Sequence, residues 1–248
     1  MGSAVEAVEL TKKFKDLVAV SGLSLSVRPA EIFGLVGPDG AGKTTTLRML
    51  ATAMVQTSGE ARVMGLDTRH EEEKIRDLIG YMPQRFSLYG DLTVDENIEF
   101  YADIYSVPQE QRKQRKEQLL SSTSMAAFTA RRARNLSGGM QKKLGLACNL
   151  IHTPKVLFLD EPTTGVDPIS RREFWRILYS LTDLTIIVST PYMDEAERCN
   201  RVALIREGHL LACDTPSAVK QQAQARTLEE AFINIIEGCR TPVAGGKQ

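Results

Sequence analysis

The spacing of apolar positions changes character along the chain. Residues 5–10, 17–20, 23–27 and 32–36 are short apolar or β-branched runs broken by turn residues, the pattern of strands. A helical run covers 43–51, and short strands are expected at 61–64 and 79–82. From residue 93 the period lengthens. Thr93-Val94-Asp95-Glu96 is a capping box, a hydroxyl and a carboxylate spaced to satisfy each other's orphan amides at a helix start, and the helix should run to Tyr105. A charged helix is expected over 109–121 and another from near Ser137 to His152. Between 85 and 155 no strand pattern occurs, so this block reads as an inserted helical subdomain. Strand character returns at 156–159 and 185–189. Asp167-Pro168 and Thr215-Pro216 each pair a capping side chain with a proline, placed where a missing N–H costs nothing.

Strands alternating with helices imply an α/β fold, a mainly parallel sheet with helices on both faces. The early strands look antiparallel and should form an added β layer. The expected organisation is one domain, with a core of 1–84 and 156–220, the helical insert at 85–155, and a C-terminal helix and tail at 221–248. The tail from Arg240 is polar and should fray.

Composition narrows the picture only a little. With 248 residues, 42% apolar and 25% charged, the chain can bury a core without disulfides. Lysine plus arginine equals aspartate plus glutamate at 31 each, which argues against wrapping nucleic acid. The basic clusters at 112–116 and 131–134 read as solvated faces. Cys148, Cys199, Cys213 and Cys239 form no CxxC pair and read as reduced thiols. No apolar run is long enough to span a bilayer, and the N-terminus lacks a secretory-signal pattern. Action at a membrane would therefore require docking onto a partner there.

The strongest chemical signal is Gly37-Pro38-Asp39-Gly40-Ala41-Gly42-Lys43-Thr44, followed by Thr45. It fits G-x-x-x-x-G-K-[ST] between an apolar strand and a helix, the setting of a P-loop. The glycines let backbone N–H groups turn inward around phosphates, and the helix presents its positive end to them. Lys43 supplies a point charge for the β and γ phosphates, and Thr44 a hydroxyl for Mg2+. The expected ligand is ATP. Downstream, residues 156–159 form an apolar strand ending in Asp160-Glu161. In such sheets ligands sit at the carboxyl ends of strands. Asp160 can then reach the Mg2+ at Thr44, and Glu161 can act as general base on the attacking water.

Between these sites lies Leu136-Ser137-Gly138-Gly139-Met140-Gln141. A P-loop, this segment and an Asp-Glu strand, in this order, resemble the ATP-binding cassette family of transporter ATPases, over about residues 5–237. Small residues at a helix start also suit a second anion site at Ser137, Gly138 and Gly139. The resemblance implies further roles. Phe14 stands where the family places an adenine-stacking aromatic. Gln84 looks like the glutamine that contacts Mg2+ and the attacking water. Residues 85–89 would touch a membrane permease subunit. Gly165-Val166-Asp167 resembles the loop that crosses to a second ATPase. Two such ATPases, a homodimer or an asymmetric pair, separate or fused, would close head-to-tail around two ATPs. Each ATP would be held by one P-loop and the other's Ser-Gly-Gly segment. Closure would drive the membrane partner from the cytoplasmic face. Residues 81–97 and 228–234 most resemble bacterial exporters of drugs and polymers.

One departure stands out. The family places a histidine after the strand that follows the carboxylate pair. This chain reads Ser189-Thr190-Pro191-Tyr192-Met193-Asp194-Glu195-Ala196. Proline has neither a ring donor nor a backbone N–H, so it cannot bond the γ-phosphate or align Glu161 and water. Thr190-Pro191 reads as a helix cap and first turn. The own site is thus expected to bind ATP and hydrolyse it slowly, while Ser-Gly-Gly serves a partner. Two other readings are a nucleotide-gated binding module with little catalysis and a cassette ATPase outside transport.

Overall fold

The computed structural model describes residues 2–85 and 88–240, the side chains of residues 239 and 240 excepted. Two sheets face each other. The first is antiparallel, built from β1 (Val5–Phe14), β2 (Leu17–Val27), β4 (Ser58–Val63) and β5 (Leu66–Asp67), in the order β2-β1-β4-β5. The second has the order β10-β9-β3-β8-β7-β6, from β3 (Ile32–Val36), β6 (Ile79–Met82), β7 (Val156–Asp160), β8 (Thr185–Thr190), β9 (Arg201–Arg206) and β10 (His209–Asp214). All its pairings are parallel except the β9–β10 edge. This is the α/β architecture with an added β layer that the pattern implied.

The central strands are apolar throughout because both faces are covered. Along β7, Val156 and Phe158 point into the core shared with the antiparallel sheet and α1 (Lys43–Leu50). Leu157 and Leu159 point to the opposite core, with Phe174 and Trp175 of α6 (Pro168–Ser180). A third core lies among α3 (Val94–Ile104), α4 (Gln109–Ser122) and α5 (Gly138–Leu150). Among the described residues no strand falls between β6 and β7, only an isolated bridge between Thr93 and Arg132. Both reciprocal bonds of the capping box at Thr93 and Glu96 are present, at 3.2 and 2.7 Å. Asp167 and Thr215 cap α6 and α8 (Pro216–Gln222), each followed by its proline. The C-terminal helix α9 (Leu228–Arg240) buries Leu228 and Ala231. The tail at 241–248 lies outside the described residues.

Several elements differ from the sequence expectation. β1 and β2 are longer, because register shifts and the left-handed residues Glu9 and Gly22 carry the pairing past interruptions that read as ends. The hairpin β9–β10 has no counterpart in the expected elements. Its loop is Glu207-Gly208, both at positive φ (52° and 81°), the requirement of a two-residue hairpin turn. The helix α2 (Glu72–Leu78) was also not expected, since Ile75 is its one buried residue. Thr190-Pro191 does not open a helix: α7 (Met193–Ala196) starts after Tyr192. The Thr190 hydroxyl accepts the Tyr192 N–H two residues on, so the chain turns before the helix begins.

In the basic clusters, Arg112 pairs with Glu99 and Asp103, Lys116 with Asp95 and Glu99, and Arg134 with Asp91. Arg131 lies over the Phe128 ring. Cys148 and Cys199 are free, buried thiols; burial pushes the Cys148 thiol up, and that of Cys199 up to about 12. Cys213 is half-buried, and the Cys239 side chain lies outside the described residues. Among the described residues no helix is long and apolar enough to cross a membrane.

Candidate nucleotide-binding site

The loop from Gly37 to Gly42 leaves β3 in the middle of the parallel sheet and enters α1. It is tightly surrounded. A Cβ on Gly37 would stand 2.1 Å from the Ile205 carbonyl oxygen, and one on Gly42 2.5 Å from that of Ala19. Gly40 and Gly42 are left-handed, at φ of 78° and 100°. The start of α1 has no side-chain cap, so its first amides stay available to an anion. The β9–β10 hairpin holds the loop from outside: Gly208 N–H donates to the Ala41 carbonyl at 3.1 Å.

The Lys43 ammonium is buried and turned back on its own loop. It donates to the carbonyls of Gly37 (2.8 Å) and Pro38 (3.0 Å) and pairs with Glu161 Oε1 at 3.2 Å. Parallel pairing of β7 with β8, and of β8 with β3, brings the end of β7 beside the loop. The Thr44 hydroxyl therefore donates to Asp160 Oδ1 at 2.9 Å, across 116 positions of sequence. Ser189 donates to the same oxygen at 2.7 Å. The other oxygen, Asp160 Oδ2, is buried and has no hydrogen-bond partner among the described residues. A buried carboxylate oxygen left unpaired beside a hydroxyl is the donor set a hard cation wants, so these residues fit Mg2+.

Glu161 sits one residue beyond the strand at φ 46°, a strained position for a residue with a side chain. Its amide is held by the Ser189 carbonyl and hydroxyl. Its Oε2 accepts from Gln84 Nε2 at 2.8 Å and from the Thr164 hydroxyl at 3.2 Å. Gln84 follows β6, which pairs with β7, and this places it opposite Glu161.

Lys43, Thr44, Gln84 and Glu161 border one open cleft of about 420 Å³, while Asp160 is fully buried behind Thr44 and does not line it. Asp39, Gly40, Ala41, Gly42, Lys43, Thr44 and Thr45 line it, with Gln84 and Glu161 on one side. Phe14, Leu17 and Ala19 complete it. Phe14 is 42% exposed, so it is no core residue, and Lys12 Nζ stands 5.2 Å from its ring centre. Leu17 and Ala19 carried no chemical signal in the sequence beyond lying on a strand.

Ser137, Gly138, Gly139 and Asp167 do not line this cleft. Ser137 caps α5, its hydroxyl accepting Met140 N–H at 3.3 Å. Gly139 packs α5 against α6, where a Cβ would meet Ser170 at 2.6 Å. The Asp167 carboxyl is held below its ordinary 3.8 by the Ser170 hydroxyl and by the amides of the helix it caps. In the segment 85–89, Phe86 and Ser87 lie outside the described residues. Leu88 is buried, and Tyr89 is exposed with its ring edge-on to Phe100.

The β8 exit carrying Pro191 is also tied down. Thr190 O accepts Gly37 N–H at 3.3 Å, and its hydroxyl donates to the buried Glu195 at 2.7 Å. Glu195 also accepts from the Thr163 hydroxyl and pairs with Arg171 at 3.6 Å. The proline at 191 offers neither a side-chain donor nor a backbone N–H.

A glycine-rich loop between strand and helix, its lysine and threonine joined to a carboxylate pair two parallel strands away, defines a P-loop nucleotide-binding domain. Comparison with known proteins specifies it further: the ABC transporter family model matches residues 20–164, and the chain belongs to that family. Among relatives, "Probable multidrug ABC transporter ATP-binding protein YbhF" of Escherichia coli is 42% identical over 94% of this chain. The match spans only 42% of YbhF's own length. The daunorubicin/doxorubicin resistance ATP-binding protein DrrA of Streptomyces peucetius is 36% identical over 91% of this chain and 69% of its own. Among solved structures, an ATP-binding subunit of an ABC transporter overlays with a TM-score of 0.86 at 23% identity, covering 94% of this chain and all of that one. The cassette MJ0796, solved as a dimer in a post-hydrolysis state with ADP and Pi, gives 0.78 at 25% identity, covering 85% and 98%.

Proposed function

We propose that this chain is the ATP-binding and ATP-hydrolysing module of a membrane exporter. The observation that carries the reading is the junction at Glu161, where the P-loop lysine and Gln84 meet one carboxylate inside the cleft. ATP would stack its base on Phe14 and lay its phosphates on the amides of residues 37–45. Lys43 would turn from Glu161 to the β and γ phosphates. Thr44, Asp160 and Gln84 would hold Mg2+, which when bound offsets phosphate charge. Glu161, freed of the lysine, would take the proton of the attacking water as its oxygen bonds the γ-phosphorus and ADP leaves.

The family and the relatives' names support the transport role. In this reading the chain is one domain, with core 1–84 and 156–220, helical insert 85–155 and a C-terminal portion. It works as a peripheral subunit on the cytoplasmic face, beside permease subunits that residues 85–89 touch. A second ATPase, identical or not, fused or separate, completes each site. Ser137, Gly138, Gly139 and Asp167 face that partner's nucleotide; their position off the chain's own cleft supports this.

Pro191 favours slow hydrolysis at the chain's own P-loop, and in the limit a nucleotide-gated module with little catalysis. ATP binding by calorimetry and phosphate release by the purified chain test the proposal. ATP binding that Lys43→Met abolishes, with a slow turnover that Glu161→Gln removes, is the expected result. A chain that binds no ATP refutes the nucleotide site. Bound ATP with no Glu161-dependent turnover leaves the gated module as the function.

A further inference from the structure

Gln84 reaches Glu161 from an exposed stretch just after β6, and something must hold it there. Among the described residues, its backbone carbonyl accepts one hydrogen bond: Lys142 Nζ donates to it at 2.8 Å. Lys142 belongs to α5, on the helical block, whereas Gln84 follows the edge strand of the core. The neighbours of Lys142 are pinned. Gln141 bonds the Ala133 carbonyl at 3.2 Å, and Lys143 pairs with Glu173 of α6 at 2.5 Å. The half-buried Lys142 stem lines a narrow crevice with Met82, Pro83 and Leu88. Burial lowers its pKa, while the charges of Asp160 and Glu161 act in the opposite sense, so the ammonium lies in the field of both site carboxylates.

We infer that Lys142 is a positioning residue for Gln84, anchoring the glutamine to α5 so that its amide group meets Glu161 and the metal position. The inference rests on the reading of Gln84 as a magnesium contact. Two features separate it from an ordinary surface contact. A charge-assisted bond to a backbone carbonyl is stronger and shorter than a neutral one. It also closes an unbroken chain of polar links, Lys43–Glu161–Gln84–Lys142, at 3.2, 2.8 and 2.8 Å, from the P-loop to the helix that starts at Ser137. Lys142 thus acts on the site as an outer partner acts on a metal ligand, and removing such partners weakens metal binding about tenfold or more.

The test is calorimetric binding of ATP to the full chain, in EDTA and in magnesium. The ratio of the two affinities is the magnesium gain, a quantity that a role in folding alone leaves unmoved. Lys142→Met keeps the stem and removes the ammonium. It should leave affinity in EDTA within about twofold and lower the magnesium gain about tenfold. Lys142→Arg should restore most of it. Adding Lys142→Met to Gln84→Ala should lower the gain no further, because both changes break one unit. A wild-type gain in Lys142→Met, where Gln84→Ala lowers it, overturns the proposal. So does equal weakening with and without magnesium. A Gln84→Ala protein with a wild-type gain refutes the assignment of Gln84, and the Lys142 proposal falls with it.

Discussion

Replacing Pro191 with histidine is the sharpest test of the slow-site reading. The geometry around it limits what can change. Thr190 is fully buried and fixed three ways: its carbonyl accepts Gly37 N–H, and its hydroxyl bonds Glu195 and the Tyr192 amide. Residue 191 is therefore one bond beyond a backbone contact with the first residue of the P-loop, on a turn that does not depend on the proline ring. A histidine there regains a ring donor. One preorganised donor to developing charge is worth roughly a hundredfold to a thousandfold in rate. A graft without its evolved surroundings should recover less, about tenfold to a hundredfold. Losing proline costs stability through the unfolded state, about 0.4–1 kcal/mol where the ring was unstrained. For a chain of this size that lowers Tm by at most about 4 °C. The assay is phosphate release at saturating ATP for wild type, Pro191→His, Glu161→Gln and the double variant. On the proposed mechanism the gain must vanish in the double variant, since the histidine would act on the water that Glu161 would activate. A folded Pro191→His protein that binds ATP normally and turns over no faster would refute the reasoning. So would a wild-type rate already above about 1 per second that depends on Glu161.

Two further outcomes follow from the geometry. Gly37→Ala forces a Cβ against the Ile205 carbonyl, a backbone atom held in the β9–β10 hairpin. It should cost about 1–3 kcal/mol in chemical denaturation and abolish ATP binding, whereas Gly138→Ala, with open space around it, should leave stability unchanged. The Asp167 carboxyl, lowered by its bonds to Ser170, and that of Glu96, lowered by Thr93, should shape acid unfolding. A depressed folded pKa gives stability that is complete above the unfolded value and is lost as pH falls through the folded one. Asp167→Asn should therefore flatten the stability profile below about pH 4, read by denaturation at stepped pH; an unchanged slope counts against the cap.

Contiguous signals were legible in the sequence wherever the physics is local. The capping box at Thr93, the Asp-Pro and Thr-Pro helix starts and the P-loop all depend on groups within a few residues of one another. Helix α2 was not legible, because its one buried residue shows no period; β9, with the apolar run 202–205, carries the same signal as 156–159 but is not among the expected elements. The start at Thr190-Pro191 misled for a different reason. The hydroxyl that reads as a cap is used by Glu195 and the Tyr192 amide, and helix α7 begins only after Tyr192.

By itself, the sequence determined the parts: which segments are strands and helices over most of the chain, that Gly37–Thr44 is shaped for phosphates, and that 191 lacks a donor. Only the tertiary structure decided which parts meet. Parallel register sets Asp160 against Thr44 and Glu161 against Lys43 and Gln84. It leaves Ser137 and Asp167 off the cleft, adds Leu17 and Ala19 to it, and ties Gln84 to Lys142 across two blocks. The reason is that strand pairing and side-chain direction depend on burial against distant segments, and no local spacing records that.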